Sequence, residues 1–237
     1  MTPLYHDFGG ETVLVFGGGA VGTRKARGFG EAERVVVVSP EFDERLLSLA
    51  GETDGEGEGE TDGETDGDGR TASVELLRAA PETDAVADWI DRFDPALAVA
   101  ATDDAAVNAA VEAAALDRGL LVNRTDVSGG RDPGSVVVPA TVEDGPVTVA
   151  LSTGGTSPAL AKALRQRIEA EIEGAGEMAA ISGEIREELK AAGVPPEKRR
   201  EAVRRVVRSR GVWKALQKGR SNGRQEADTV IEGVLNR

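Results

Sequence analysis

Three glycines near the start of the chain have the spacing of a phosphate-binding turn. Gly17, Gly19 and Gly22 follow four apolar residues in the order G-x-G-x-x-G. The first glycine of such a motif permits a tight turn, the second lets backbone approach a pyrophosphate, and the third lets the next helix pack on the sheet. The N–H groups at the start of that helix, including those of Ala20 and Val21, would bind the phosphates. The spacing predicts a dinucleotide site.

The elements around this motif form a β–α–β unit. We expect a strand at residues 12–16, a helix from about Val21, and a second strand at residues 34–38, whose unbroken apolar run is typical of a buried parallel strand. An acidic residue at the end of the second strand usually binds the ribose hydroxyls. Ser39, Pro40 and Glu41 occupy that place, and no arginine follows them to bind a 2′-phosphate. The pattern favours NAD over NADP.

The α/β alternation continues to about residue 126. Strands are predicted at residues 73–77, 97–101 and 120–123, and helices at residues 84–93 and 105–118. Thr102, Asp103 and Asp104 follow the fourth strand, where a polar side chain can cap the next helix. Asp126 follows the fifth strand. Ligands of open α/β sheets bind at the carboxyl ends of the strands, so these positions are candidate site residues.

After Asp126 the pattern changes. Apolar runs at residues 135–139 and 146–151 predict two strands of a separate sheet, joined at residues 142–145, that could pair between subunits. Ser157 and Pro158 then form a strong helix start, followed by an apolar stripe of Leu160, Leu164 and Ile168. Residues 170–237 are helical in character, with a break at residues 193–196 and three or four helices. The predicted domains are residues 1–126, 127–151 and 152–237.

Composition excludes several kinds of site. The chain has 237 residues, a formal charge of −14, no cysteine and a single histidine, His6. Disulfides, thiolate chemistry and multi-histidine metal sites within one chain are therefore excluded. We expect no nucleic-acid partner, no membrane span and a cytoplasmic location. The acidity favours a salt-adapted source over an acidic mesophilic enzyme.

Residues 51–70 are predicted to be a disordered acidic loop, since they lack aliphatic and aromatic residues. They also lack the spacing of a calcium loop.

The motifs, taken in order, resemble the precorrin-2 dehydrogenases, the family that includes the dehydrogenase/ferrochelatase part of sirohaem synthases. The resemblance covers Met1 to about Ile168 apart from the acidic insert. The loop at residues 152–158, placed after the two extra strands, makes it specific. It is carried by Pro3-Leu-Tyr, the stretch from Val13 to Gly22, Arg24 to Arg27, Val38 to Pro40, Ala100 to Asp104, Val107-Asn108, Val122-Asn123, Asp126, Val138 to Ala140, and Leu151 to Leu160.

The resemblance implies NAD-dependent oxidation of precorrin-2 to sirohydrochlorin, a dimer, a helical domain that contributes to the tetrapyrrole cleft and, in some members, Fe²⁺ insertion. It implies that Asp126 matches the family's key aspartate, a general base or an orienting group. Thr153 stands where some relatives carry a phosphorylated serine. The polycarboxylate substrate calls for local positive charge and N–H donors. The predicted substrate-binding residues are Arg24, Lys25, Arg124, Thr153, Gly154, Gly155, Thr156, Ser157, Lys162 and Arg165.

Other interpretations of these residues stay open at this point. Asp126 taken alone could be a turn residue or a helix cap. The β–α–β unit alone fits an NAD-sensing regulatory module without catalysis. The chain could also be a dehydrogenase without chelatase activity. The sequence does not decide between the two, because one carboxylate can assist metal insertion without a histidine pair.

Overall fold

The computed structural model describes residues 2–53, 72–127 and 134–236. The chain divides into two compact units, Met1–Val138 and Pro139–Arg237. Most of the acidic insert predicted at residues 51–70 lies outside the described residues, and its first three residues form the end of a helix that the sequence did not predict. Each unit has its own hydrophobic core.

The first unit is a parallel five-stranded sheet with helices. Its strands are β1 (Thr12–Phe16), β2 (Arg34–Ser39), β3 (Ser73–Arg78), β4 (Leu97–Ala100) and β5 (Leu121–Arg124). Its helices are α1 (Ala20–Arg27), α2 (Glu44–Thr53), α3 (Val86–Phe93) and α4 (Ala105–Asp117). The strand order is β3-β2-β1-β4-β5, all parallel, which confirms the predicted Rossmann-like α/β sheet.

The apolar strand runs fill both faces of this sheet. Leu14, Phe16 and Val36 point into one cluster with Ile90 of α3, and Val13 and its alternate neighbours point into the other. Because side chains alternate along a strand, a run that is apolar at every position can be buried on both sides. All four residues from Val35 to Val38 have no exposed surface.

The second unit begins with an antiparallel hairpin, β6 (Ala140–Asp144) and β7 (Val147–Leu151). Two predictions are wrong here: a strand at residues 135–139 and a turn at residues 142–145. The turn is Gly145-Pro146, because Asp144 pairs with Val147. The apolar run before it lies along β5 instead: Ser135 forms a parallel bridge with Val122, and the Val136 amide donates to the Val122 carbonyl at 2.7 Å.

Five helices follow the hairpin in the described part of the second unit. They are α5 (Pro158–Ile172), α6 (Ala175–Ala191), α7 (Pro196–Arg208), α8 (Arg210–Leu216) and α9 (Arg220–Leu235). Ser157 caps α5 as predicted, accepting from the Leu160 amide at 3.3 Å. The apolar stripe of α5 is not buried in this chain, since α5 has no buried residue and Leu160 is 50% exposed. The core lies among α6 to α9.

Candidate active site

The turn after β1 has no room for a Cβ at three positions, Gly17, Gly18 and Gly22. Gly17 has φ +110°, in the left-handed region, and a Cβ there would collide with the carbonyl group of Ala101. A Cβ at Gly22 would collide with the Gly17 carbonyl oxygen, so the missing side chain lets α1 begin against the turn. These constraints agree with the roles that the spacing predicts for the first and third glycines.

Gly19 differs from its neighbours because its surroundings are open. A Cβ at Gly19 would meet nothing within 4 Å. Gly19 is the N-cap residue of α1, makes no side-chain cap, and is followed by the exposed Ala20 and Val21. No acidic side chain lies in the first turn of α1. An uncapped helix start facing open space is a place where a phosphate can accept from backbone N–H groups, so these residues fit a dinucleotide pyrophosphate.

The end of β2 lies beside this turn. Ser39 is buried and Pro40 and Glu41 are exposed. The expectation that no arginine lies there is wrong, because Arg78 at the end of β3 pairs in register with Ser39. Its guanidinium donates to the Pro40 carbonyl at 2.9 Å and lies 5.3 Å from the Phe42 ring centre. Glu41 and an arginine thus both lie at the edge where a ribose is expected.

The end of β4 is held by a buried asparagine. Asn108 of α4 has no exposed surface; its Oδ1 accepts from the Thr102 amide at 3.1 Å and hydroxyl at 2.8 Å. Its Nδ2 donates back to the Thr102 carbonyl at 3.0 Å. Asp104 caps α4, as predicted, by accepting from the amides of Ala106 and Val107. Asp103 is exposed. Thr102 is therefore fixed and Asp103 faces solvent.

Asp126 at the end of β5 is part of an ion-pair network. Arg124 donates to both of its carboxylate oxygens, from Nε at 3.0 Å and from Nη2 at 2.6 Å. The third nitrogen of the same guanidinium, Nη1, donates to Glu112 of α4 at 3.0 Å. The side chains of Arg124, Glu112 and Asp126 are 13%, 17% and 26% exposed, so water screens this network only in part.

The network sets the ionisation of Asp126. The hydrogen bond from Arg124 lowers the pKa of the Asp126 carboxyl, partial burial opposes that change, and Asn108 also contributes to the lowering. The two carboxylates raise the pKa of Arg124, chiefly through the Asp126 hydrogen bond. Asp126 is therefore a carboxylate at neutral pH, and Arg124 is committed to two protein carboxylates.

The sheet topology brings the candidate site residues to one edge of the sheet, the edge formed by the carboxyl ends of its strands. Because β1, β4 and β5 are neighbouring parallel strands, the glycine turn, Thr102 and Asp126 all follow the carboxyl ends of adjacent strands. The order of connection reverses between β1 and β4, which is where open α/β sheets bind ligands. Arg24 and Lys25 lie on α1, Arg24 exposed and Lys25 half-buried.

The loop before α5 is in the second unit. Thr153 orders it, donating its hydroxyl to the Ser157 carbonyl at 3.2 Å and accepting at its carbonyl from the Thr156 hydroxyl at 2.6 Å. Gly154 and Gly155 have φ of +63° and +80°. On α5, Lys162 is exposed and Arg165 pairs with Glu169 at 3.1 Å. These predicted residues form one continuous segment.

Three residues of the first unit were missed by sequence reasoning as parts of the site. Glu112 and Arg78 are brought in by helix and strand register, for which the local sequence carries no signal. Asn108 carries a weak signal, since a buried amide in an alanine-rich helix must find partners. Within the described ranges, no group of three or more His, Cys, Asp or Glu could hold a metal ion. No described helix is both long and apolar enough to cross a bilayer.

Comparison with known proteins shows the family to which this chain belongs. Residues 4–140 match a profile described as putative NAD(P)-binding, and residues 144–171 match the profile of the central part of sirohaem biosynthesis proteins. The first match covers more than half of the chain. The chain belongs to this family of putative NAD(P)-binding proteins, and its predicted resemblance to the precorrin-2 dehydrogenases is confirmed.

Individual relatives are similar to this chain along most of its length. A siroheme synthase of Pseudomonas entomophila is 34% identical over 99% of this chain, which spans 44% of that relative. A precorrin-2 dehydrogenase of Methanosarcina barkeri is 28% identical over 98% of this chain and 94% of its own length. The solved structure of SirC, titled a precorrin-2 dehydrogenase, has a TM-score of 0.66 at 21% identity, covers 98% of this chain and all of its own, and supports the fold. The chain thus spans less than half the length of the siroheme synthases that it matches.

Proposed function

We propose that this protein catalyses the NAD-dependent dehydrogenation of precorrin-2 to sirohydrochlorin. The observation that carries the proposal is the position of Asp126 on the same sheet edge as the uncapped glycine turn. Two hydrogens leave the macrocycle, one as a hydride that reduces NAD⁺ to NADH and one as a proton that is released to solvent. A relative that is similar along nearly its whole length is named for this reaction. The regulatory alternative, an NAD sensor without chemistry, has no support among the comparisons.

The cofactor is proposed to bind at the carboxyl ends of β1, β2 and β4. A bound nicotinamide supplies the hydride acceptor. The first turn of α1 holds the pyrophosphate through its N–H groups, and the end of β2 holds the ribose. The proposed cofactor-binding residues are Gly17, Gly19, Ala20, Val21, Gly22, Ser39, Pro40, Glu41, Thr102 and Asp103.

NAD is proposed over NADP because Glu41 is exposed at the end of β2. A carboxylate accepts hydrogen bonds from ribose hydroxyls and repels a 2′-phosphate. Arg78 would favour the phosphate, but it is already engaged with the Pro40 carbonyl and the Phe42 ring.

Asp126 is proposed to orient the substrate as a fixed carboxylate. Arg124 holds the carboxylate in its charged form, which accepts hydrogen bonds well and takes up a proton weakly at neutral pH. In this proposal the Asp126 carboxylate is a permanent acceptor for hydrogen-bond donors of the reduced macrocycle. The remaining proposed substrate contacts are Arg24, Lys25 and Arg124 in the first unit and Thr153, Gly154, Gly155, Thr156, Ser157, Lys162 and Arg165 in the second.

The Asp126→Asn variant tests this proposal. Asparagine keeps the size of the side chain and removes its charge, so the macrocycle loses the charged acceptor that orients it, and we expect kcat for NADH formation to fall by about a hundredfold or more. Asp117→Asn, at the exposed end of α4, is the matched control and should keep wild-type turnover. Equal rates for the two variants would contradict the role given to Asp126.

Three further expectations from the sequence stay predictions. Fe²⁺ as a second substrate is tested by supplying sirohydrochlorin and Fe²⁺ without NAD⁺ and following metal insertion. A homodimer is tested by light scattering of the full chain. A cytoplasmic location is tested by fractionating the source cells.

A further inference from the structure

The second unit carries a groove of about 610 Å³ between α6 and α7 that is lined by arginine. None of its described lining residues is acidic. Five cations surround it: Arg186 from α6 and, from α7, Arg199, Arg200, Arg204 and Arg208.

Few carboxylates offset this charge. In the part of the chain that the structure describes, Glu201 is the one acidic residue paired with the groove, at 3.3 Å from Arg204, and it is shared with Arg205 at 2.8 Å. Arg186, Arg199 and Arg208 make no ion pair with a described residue. The Nε of Arg199 is buried without a hydrogen-bond partner. The groove therefore has unused donors.

A neighbouring cleft in the same unit shows the usual arrangement. There Arg224 pairs with Glu188 at 2.5 Å and with Asp228 at 3.0 Å, and Arg220 pairs with Glu177 and Glu184. The whole chain has 42 acidic and 28 basic residues. Like charges four residues apart on a helix repel each other, so a row of arginines that shares a single described counter-charge, Glu201, costs stability. A negatively charged ligand would remove that cost.

The groove also has an apolar part. Val203 and Val207 lie on the α7 face that carries the arginines, and Val207 is 39% exposed. Val203 and Val207 directly precede Arg204 and Arg208 in the chain, so successive turns of this face each carry a valine side chain beside a guanidinium group. Such a surface suits a ligand with an apolar body and carboxylates on its rim, because guanidinium binds carboxylate through two parallel hydrogen bonds.

We propose that this groove is a second binding site, for a polycarboxylate macrocycle. The choice of macrocycle rests on the proposed function, whose substrate and product both have this chemistry. A compact ligand fits better than nucleic acid, because an extended polyanion would also run over the surface of a chain with charge −14. The site would hold substrate before the reaction or product after it, through residues other than those proposed for the chemistry.

Uroporphyrin I, a fluorescent octacarboxylate porphyrin, is the probe. Titration into the full-length protein should show saturable binding, which Arg199→Gln/Arg208→Gln should weaken by about tenfold or more. The control Arg210→Gln/Lys214→Gln removes the same charge from exposed positions outside the groove and should bind within about twofold of wild type. Arginine-specific chemical modification, read by mass spectrometry, locates the site: uroporphyrin should protect the α7 arginines.

The outcomes separate this site from the dehydrogenase proposal. Unprotected α7 arginines together with unchanged affinity in the Arg199→Gln/Arg208→Gln variant would contradict the proposal that the groove binds the macrocycle. Binding of a duplex DNA oligonucleotide that the same variant abolishes, with no protection by uroporphyrin, would overturn it in favour of nucleic acid. If precorrin-2 yields no NADH while uroporphyrin still protects the α7 arginines, the binding-site proposal is supported and the dehydrogenase proposal is contradicted.

Discussion

The ionisation of the Asp126 carboxyl is controlled by Arg124, two positions earlier in the chain. Arg124 contacts both of its oxygens, and Glu112 contacts the other side of the same guanidinium. Spacing and family resemblance were enough to single out Asp126 and Arg124. They did not predict the contact between Arg124 and Glu112, because nothing in the local sequence shows that Glu112, from another element, lies within reach.

Replacing Arg124 should change the pH dependence of activity. The Arg124→Gln variant removes the hydrogen bonds that lower the pKa of Asp126, so that pKa rises toward its ordinary value of about 4. The acid limb of kcat/KM, measured by NADH formation, should therefore move to higher pH. Arg118→Gln, which breaks a separate exposed pair with Asp91, should leave the limb in place. An unchanged limb in Arg124→Gln would show that Asp126 does not control it.

The same contact contributes to folding stability. Because the pKa of Asp126 is lower in the folded protein, its stabilising contribution is present above the unfolded-state pKa and is lost as the pH falls through the folded-state pKa. Arg124→Gln should thus lower the urea midpoint at neutral pH and have less effect near the folded-state pKa and below it.

Glu41 should decide between the two nicotinamide cofactors. Glu41→Ser removes the carboxylate that repels a 2′-phosphate and leaves Arg78 at the same edge. We expect the ratio of kcat/KM for NAD to that for NADP to fall by about tenfold or more. The control is Glu44→Ser in the first turn of α2, which should keep the wild-type ratio. A ratio that Glu41→Ser does not move would place cofactor choice elsewhere.

At the scale of elements, strongly patterned segments could be predicted and weakly patterned ones could not. The apolar runs of β1, β2 and β4 and the caps at Asp104 and Ser157 each have a local physical cause. The apolar run before the hairpin was misassigned because apolar character does not say which neighbour a segment joins. Its neighbour is β5, where the Asn123 side chain donates to the Val136 carbonyl at 2.7 Å.

The glycine turn allows binding and folding to be separated. Gly19→Ala places a methyl group in open space, so the protein should keep its unfolding midpoint while NAD affinity falls by about tenfold or more, because the pyrophosphate loses its approach. Gly22→Ala collides with the Gly17 carbonyl and should lower the unfolding midpoint. Calorimetric titration with NAD and thermal unfolding measure the two effects. Full NAD affinity in folded Gly19→Ala would contradict the site.

For the whole molecule, charge is the dominant property. A formal charge of −14 opposes compaction by self-repulsion, and salt screens that repulsion over a Debye length of about 3 Å at 1 M. Molar KCl should therefore raise the thermal unfolding midpoint, whereas sorbitol at equal osmolality should have a smaller effect. A midpoint that falls in KCl would contradict the salt-adapted interpretation. Composition could predict this behaviour, but not the local groove of arginines, which the helix packing assembles.

The central claim is that a dinucleotide at the β1 turn and a carboxylate at the β5 end serve one oxidation. The most direct measurement mixes the full-length protein with precorrin-2 and NAD⁺ and follows NADH and sirohydrochlorin together. The account predicts equal amounts of the two products at the same rate. Sirohydrochlorin formed without NADH, or no conversion by folded protein that binds NAD⁺, would contradict it.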